Sequence, residues 1–239
     1  MTKNKVEMEN IESVKEHISF NYGDYVKEYL SRDQKQRRQK TVHASEIGYC
    51  LRKTYFQAMN PKPLPIELLG IFQLGNILHD KMTEILELLM KKQDSEILRV
   101  DSEQRIVFYF PDEDFRISGQ YDDLVYLKNG KTILIEKKSI KNFTPFKYKN
   151  AAKDEHIMQA NIYAKALMPD ETQIVYISKE NMAVKSFVIT PDQKIVDTAI
   201  ARAKILNHAL ETNVAPPKEK SWMCKKFCDY FEECEKLGG

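Results

Sequence analysis

In KTILIEKKS, Glu136 and Lys138 stand two apart within a run of β-branched and apolar residues. On a strand the period of two turns both side chains to one face, while Ile133, Ile135 and Lys137 face the other. A carboxylate beside an ammonium suits phosphodiester hydrolysis: the first holds a divalent ion, and the second positions or activates a water and balances charge on the phosphate. One hairpin earlier, GQYDD puts Asp122 on the neighbouring strand as a second hard oxygen ligand, a donor type that favours Mg²⁺ or Mn²⁺ over a softer metal. Asp123 projects the opposite way unless the strand is bulged. Both acidic positions interrupt otherwise apolar strands, which argues for a polar cluster near the sheet interior rather than a solvated surface pair.

His79, in LGNILHDKM, sits beside Leu78 at the edge of an apolar helical stripe, either as a boundary histidine or as a third ligand. Gln159 and Tyr163 lie one helical turn apart and share a face, as a structural pair or as contacts to Lys138 or to a substrate end. Arg32, Lys35, Arg37, Arg38, Lys40, Arg52 and Lys53 are candidate phosphate contacts, with the aromatic-basic segment KNFTPFKYK at 141–149. Solvated faces are the competing reading for the charges, and packing for Phe143, Phe146 and Tyr148.

Of the four cysteines, Cys50 stands alone and Cys224, Cys228 and Cys234 follow C-x3-C-x5-C. Thiolates are soft ligands, and Cys50 completes a set of four by folding back on the tail. Such a site holds zinc or an iron-sulfur cluster, and spacing does not decide between them. A chain of 28.0 kDa without an export signal has little need of disulfides. Ligation would tie the tail to the N-terminal lobe and be structural first.

Across 239 residues, 37 Lys plus Arg nearly balance 35 Asp plus Glu, so affinity for a polyanion must come from local patches. Hydrophobic residues at 42% and charged residues at 30% exclude wholesale disorder. No run approaches a membrane span and the start is too polar for a secretory signal, so the chain reads as cytoplasmic, without membrane partners. It lacks G-x-G-x-x-G and G-x-x-x-x-G-K-[ST], which excludes an ATP motor of its own.

The elements that must position these residues follow from the apolar period. Helix is expected at 7–30, broken at Tyr22-Gly23, and from Ser45 to the prolines that follow Asn60. A long core helix is expected at 66–92, with Leu74, Leu78, Met82, Ile85 and Leu89 spaced by three and four. ILRVDSEQRIVFYF, FRISGQYDDLVYL and KTILIEKKS read as strands, with a hairpin turn at Lys128-Asn129-Gly130. Helices at 153–167 and 194–210 and strands at 173–177 and 183–189 complete an α/β domain with a mixed sheet. The expected division is a helical lobe at 1–92, a core at 93–210 and a cysteine-rich segment at 211–239.

Taken together, YCLRKTY from Tyr49, GNILH ending at His79, GQYD ending at Asp122, EKK from Glu136, QANIY from Gln159 and C-x3-C-x5-C resemble the RecB-like branch of the PD-(D/E)XK nucleases. More narrowly, the set is similar to the CRISPR-associated exonucleases with an iron-sulfur cluster. The resemblance implies a restriction-endonuclease-like α/β core, a mixed central sheet flanked by helices, an N-terminal helical lobe and a cysteine tail forming a cluster subdomain. It implies Mn²⁺ or Mg²⁺ on His79, Asp122, Glu136 and the Lys137 carbonyl, a catalytic Lys138, and Gln159 and Tyr163 serving the substrate. Cys50, Cys224, Cys228 and Cys234 would hold a [4Fe-4S] cluster. Arg52 and Lys53 would touch single-stranded DNA, cut 5′-to-3′. CRISPR integrase proteins and a second copy of the chain are the implied partners, with spacer processing in antiviral defence or DNA repair as the setting. The alternative is a non-catalytic nucleic-acid binding or scaffolding subunit with a zinc or iron-sulfur site.

Overall fold

The computed structural model describes residues 21–32, 41–111, 115–144, 150–221 and 223–238. Lys35, Arg37, Arg38, Lys40, Phe146, Tyr148 and most of the helix expected at 7–30 lie outside those residues. Among the described residues no helix is long and apolar enough to cross a membrane.

The centre is a mixed sheet of β2 (Ile97–Ser102), β5 (Asp123–Leu127), β6 (Thr132–Ile140), β7 (Glu171–Ser178) and β8 (Val184–Ile189), in that spatial order. The β5–β6 hairpin is antiparallel and closes through Gly130, whose φ of 85° suits a residue without a Cβ. Strands β6 and β7 run parallel, so their connection must cross over, and it does so through α5 (Asp154–Leu167). A second sheet holds β1 (Val42–His43), β4 (Phe115–Gln120) and β3 (Arg105–Phe110), with β4 central.

The two sheets are joined by one long bent hairpin, in which β2 and β3 run on one arm and β4 and β5 on the other. At the bend the Glu103 amide donates to the Asp122 carbonyl at 2.8 Å, and the Tyr121 amide donates to the Gln104 carbonyl at 3.2 Å. Glu103 takes a φ of 53° to make the corner. The runs ILRVDSEQRIVFYF and FRISGQYDDLVYL each break there into two strands, and Asp122 sits in the elbow rather than within a strand.

Helices cover both faces. On one, α5 packs with α6 (Gln193–Thr212), whose buried Ala199, Ala203, Leu206 and Leu210 repeat at three and four and bring a small-residue face close to α5. Truncating a leucine such as Leu206 there would cost about 2–5 kcal/mol. On the other, α4 (Ile66–Met90) lays Leu78 against Val175 and Ile177. Before it come α1 (Tyr22–Arg32), α2 (Ala44–Ile47) and α3 (Leu51–Met59). In the tail lie α7 (Cys224–Phe227) and α8 (Phe231–Lys236).

The expected iron-sulfur subdomain is corrected here. The four cysteines are free, half-buried thiols, and among the described residues no group of three or more His, Cys, Asp or Glu could hold a metal ion. Their sulfurs have other company: Cys224 lies 3.8 Å from the Glu219 carbonyl, and Cys234 lies 3.8 Å from the Arg52 guanidinium. Burial pushes the Cys50 thiol up, against nearby amides that lower it. The tail is fastened by ordinary contacts instead. Arg52 donates to the carbonyls of Pro216 and Gly238, each at 2.7 Å. The Tyr230 ring stacks on Phe56, and its hydroxyl donates to the Asn60 carbonyl at 3.0 Å.

Candidate active site

The alternation of β6 turns Glu136 and Lys138 toward α5, and their side chains meet at 2.7 Å between Oε1 and Nζ. Lys138 Nζ also donates to Gln159 Oε1 at 2.9 Å, and Gln159 Nε2 donates to the Tyr163 hydroxyl at 3.3 Å. Glu136 is 2% exposed, and its Oε2 is buried without a hydrogen-bond partner. Burial is the largest influence on its carboxyl and lifts it to about 7, with Lys138 opposing and Asp122 adding to the rise. Burial alone would lower the Lys138 ammonium, but Glu136 and Asp122 outweigh it and hold the group charged well above the ordinary lysine range.

Asp122 reaches the same place from the elbow. Its Oδ2 accepts the Lys137 amide at 2.6 Å, and its Oδ1 lies 3.3 Å from His79 Nδ1 on α4. Burial pushes its carboxyl up, yet His79, Lys138 and the Lys137 amide overcome that and keep it below the usual carboxylate value. One carboxylate is thus held ionised beside another lifted toward neutrality, the pattern that assigns different roles to paired acids.

A cleft of about 940 Å³ opens here, lined by His79, Lys138, Lys141, Lys153 and Lys179 together with the rings of Tyr49, Phe72 and His156. A smaller cavity of about 330 Å³, bordered by His43, Arg105, Ser118 and Gln120, is lined by Gln159 and Tyr163. His156 was not anticipated. Its ring nitrogens lie 2.8 Å from the Tyr176 hydroxyl and 3.3 Å from that of Tyr49, and burial, with Lys138 and Lys153, lowers it to about 3, leaving a neutral imidazole. Its place three residues before Gln159 on α5 was the available signal, since that spacing shares a face.

His79, Asp122, Glu136, Lys138, Gln159 and Tyr163 are therefore gathered in one place, and of Lys137 it is the amide rather than the expected carbonyl that meets Asp122. Arg52 is not: it is 6% exposed and spent on the tail. Lys53 follows it on α3, half-buried. Arg32 pairs with Glu28 one turn away on α1. The four cysteines lie with α3 and the tail.

No family model matches the chain, and no curated protein is significantly similar to it. Among solved structures its fold is similar to that of SSO0001, with a TM-score of 0.59 and 18% identity over 88% of this chain and 95% of that one. It is also similar to an alkaline exonuclease, LHK-Exo from Laribacter hongkongensis, with a TM-score of 0.51 and 16% identity over 78% and 94% of the two chains. At such identities the likeness is one of fold.

The narrower resemblance is corrected by these findings. The feature that sets the CRISPR-associated iron-sulfur exonucleases apart, a group of cysteines able to hold a cluster, is missing from the described residues. The expected cofactors, a [4Fe-4S] cluster and a resident Mn²⁺ or Mg²⁺ on a three-side-chain site, fall with it. His79 is engaged by Asp122, and Glu136 gives Oε1 to Lys138, so the three do not converge as a ligand set. The CRISPR partners and the antiviral role rested on the same resemblance and lapse with it.

Proposed function

We propose that this chain is a deoxyribonuclease that hydrolyses phosphodiester bonds at Asp122, Glu136 and Lys138, working 5′-to-3′ from the ends of single-stranded DNA. The observation that carries the reading is the buried Glu136, with Oε1 on Lys138 and Oε2 unsatisfied. A buried carboxylate oxygen without a donor is costly unless a proton or cation meets it during function.

Lys138 has three N–H donors, of which two are spent on Glu136 and Gln159. The third is available to a phosphate oxygen or to the attacking water. Held charged by two carboxylates, the ammonium stabilises the negative charge that grows on the phosphate, in a site whose donors are already oriented. Gln159, braced by Tyr163, fixes the direction of that ammonium. His79, which lines the cleft, and the Lys137 amide hold Asp122 ionised and in place. The lysines and aromatic rings that line the cleft suit phosphates and unpaired bases.

The test is degradation of end-labelled single-stranded DNA by the purified chain, with and without EDTA, beside Lys138→Ala. Cutting that the variant loses is expected, with the product ladder giving 5′-to-3′ polarity and the EDTA arm reporting any metal dependence. Folded protein that binds the strand without cutting it would sink the reading and favour a binding subunit.

A further inference from the structure

We infer that the buried Asp123–Lys137 pair is a positioning device that aligns the three carriers of the active site from behind the sheet, an inference that rests on the nuclease reading above. Each member is the sequence neighbour of a site residue and faces the other way: Asp123 follows Asp122, and Lys137 lies between Glu136 and Lys138. Their charges meet at 2.9 Å, with side chains 0% and 2% exposed. Lys137 Nζ further donates to the Thr83 hydroxyl at 2.6 Å and to the His79 carbonyl at 3.1 Å. Asp123 Oδ1 accepts from Thr83 Oγ1 at 3.0 Å and from Ser102 Oγ at 2.7 Å.

The network therefore touches the elements that carry Asp122, Glu136, Lys138 and His79. Lys137 belongs to β6, Asp123 begins β5 beside the elbow, Ser102 ends β2, and Thr83 stands one turn after His79 on α4. A strand residue that rolls about the strand axis carries its neighbours with it, because alternate side chains share one backbone. Pinning Lys137 and Asp123 fixes the roll of β6 and β5, and so the directions in which Glu136, Lys138 and Asp122 leave the sheet. The bond to the His79 carbonyl sets the height of α4, and so the approach of His79 to Asp122. An apolar pair would fill the same space; the charged pair adds direction, at the expense of burying two ions. Lys137 and Asp123 touch no reacting atom, and their part in turnover is to position groups that do.

The experiment compares the wild type, Asp123→Asn/Lys137→Met and Thr83→Val. The double variant removes both charges while keeping shape, and Asn still accepts from Ser102 and Thr83. kcat and KM are measured on end-labelled single-stranded DNA, and the His79 imidazole is followed by NMR of protein labelled at histidine. The double variant is expected to unfold cooperatively, to keep KM within about twofold and to lose kcat by about 10²-fold, as a small misplacement of catalytic groups does. Its His79 resonances should move. Thr83→Val should lose kcat by about tenfold with the same sign in the spectrum. A folded double variant with wild-type kcat and unmoved His79 resonances would overturn the inference, leaving the pair a role in stability alone. If the double variant does not fold, Thr83→Val decides on the same two criteria. A wild type that cuts no DNA would end the nuclease reading, and the His79 resonances would then decide the positioning role by themselves.

Discussion

Asp122 and Asp123 are consecutive, yet they serve opposite sides of the sheet: Asp122 Oδ1 lies 3.3 Å from His79 in the cleft, and Asp123 Oδ2 lies 2.9 Å from Lys137 in the interior. The same inversion holds one strand over, where Lys138 meets Glu136 in the cleft and Lys137 turns inward. Two facing pairs of neighbours thus build a reactive face and a buried one from four residues. Strand alternation gives this opposition on β6, and at the elbow Asp122 lies outside strand pairing while β5 begins at Asp123.

Glu136→Gln and Lys138→Ala should each lower kcat on single-stranded DNA by about 10²–10³-fold while binding is largely kept, the loss typical of removing one oriented charge-stabilising group. Single-turnover kinetics with a filter-binding control would check this. Undiminished cleavage in either folded variant would remove that residue from the mechanism.

Glu136 should also leave a mark on stability. Its carboxyl is lifted from 4.5 to about 7 in the folded chain, so the folded state holds the proton more tightly than the unfolded one. The stability from this group is fully present below about pH 4.5 and is lost as the pH rises through about 7, by on the order of 3 kcal/mol. Urea unfolding across that window should show a decline that Glu136→Gln lacks. Parallel curves for the two proteins would place the carboxyl in an ordinary environment.

Much of this was legible because alternation and helical period are local. The facing of Glu136 and Lys138 follows from the strand period, and the helices expected at 66–92, 153–167 and 194–210 differ from Ile66–Met90, Asp154–Leu167 and Gln193–Thr212 by one or two residues at their ends. The elbow was not legible. Nothing in the apolar pattern of ILRVDSEQRIVFYF marks a corner at Glu103, where a non-glycine residue accepts a positive φ for the sake of the bond to Asp122. The buried role of Lys137 had a signal, a lysine on the face of Ile133 and Ile135, but its partner depends on the register of β5 against β6. For the cysteines, spacing carried softness and number but no distance, and the tail docks through Arg52 and Tyr230 instead.

Lys137→Met alone should destabilise the fold by about 3–5 kcal/mol, because it strands the Asp123 carboxylate in the interior. Adding Asp123→Asn should recover most of that loss. Urea unfolding of the two variants checks the cycle, and a double variant no more stable than the single one would mean that the lysine stem, rather than its charge, holds the interior.

Arg52→Ala should loosen the tail without touching the cleft. The guanidinium holds two carbonyls, of Pro216 and Gly238, at 2.7 Å each, and charged donors of this kind contribute about 1.5–3 kcal/mol apiece. Limited proteolysis should cut the variant within 217–238 much faster than the wild type, while affinity for single-stranded DNA stays the same. A selective loss of DNA affinity with a resistant tail would return Arg52 to the substrate.

Gly119→Ala tests whether the brace behind Lys138 is built by close packing. A Cβ at Gly119 would lie 2.5 Å from the Tyr163 hydroxyl and 2.6 Å from its Cε1, too close for both to stay where they are. The ring must shift, Gln159 loses its support and the Lys138 ammonium loses its direction. The expected cost is about 1–3 kcal/mol of stability, typical of overpacking. Activity should discriminate further: Tyr163→Phe gives up the hydroxyl's hydrogen bonds, to Gln159 at 3.3 Å and to the Gln120 backbone, but keeps the ring in place, so its kcat should fall less than that of Gly119→Ala. Thermal unfolding and kcat for both variants provide the comparison. If Tyr163→Phe proved the more damaging, the hydroxyl would act on the substrate directly rather than through Gln159.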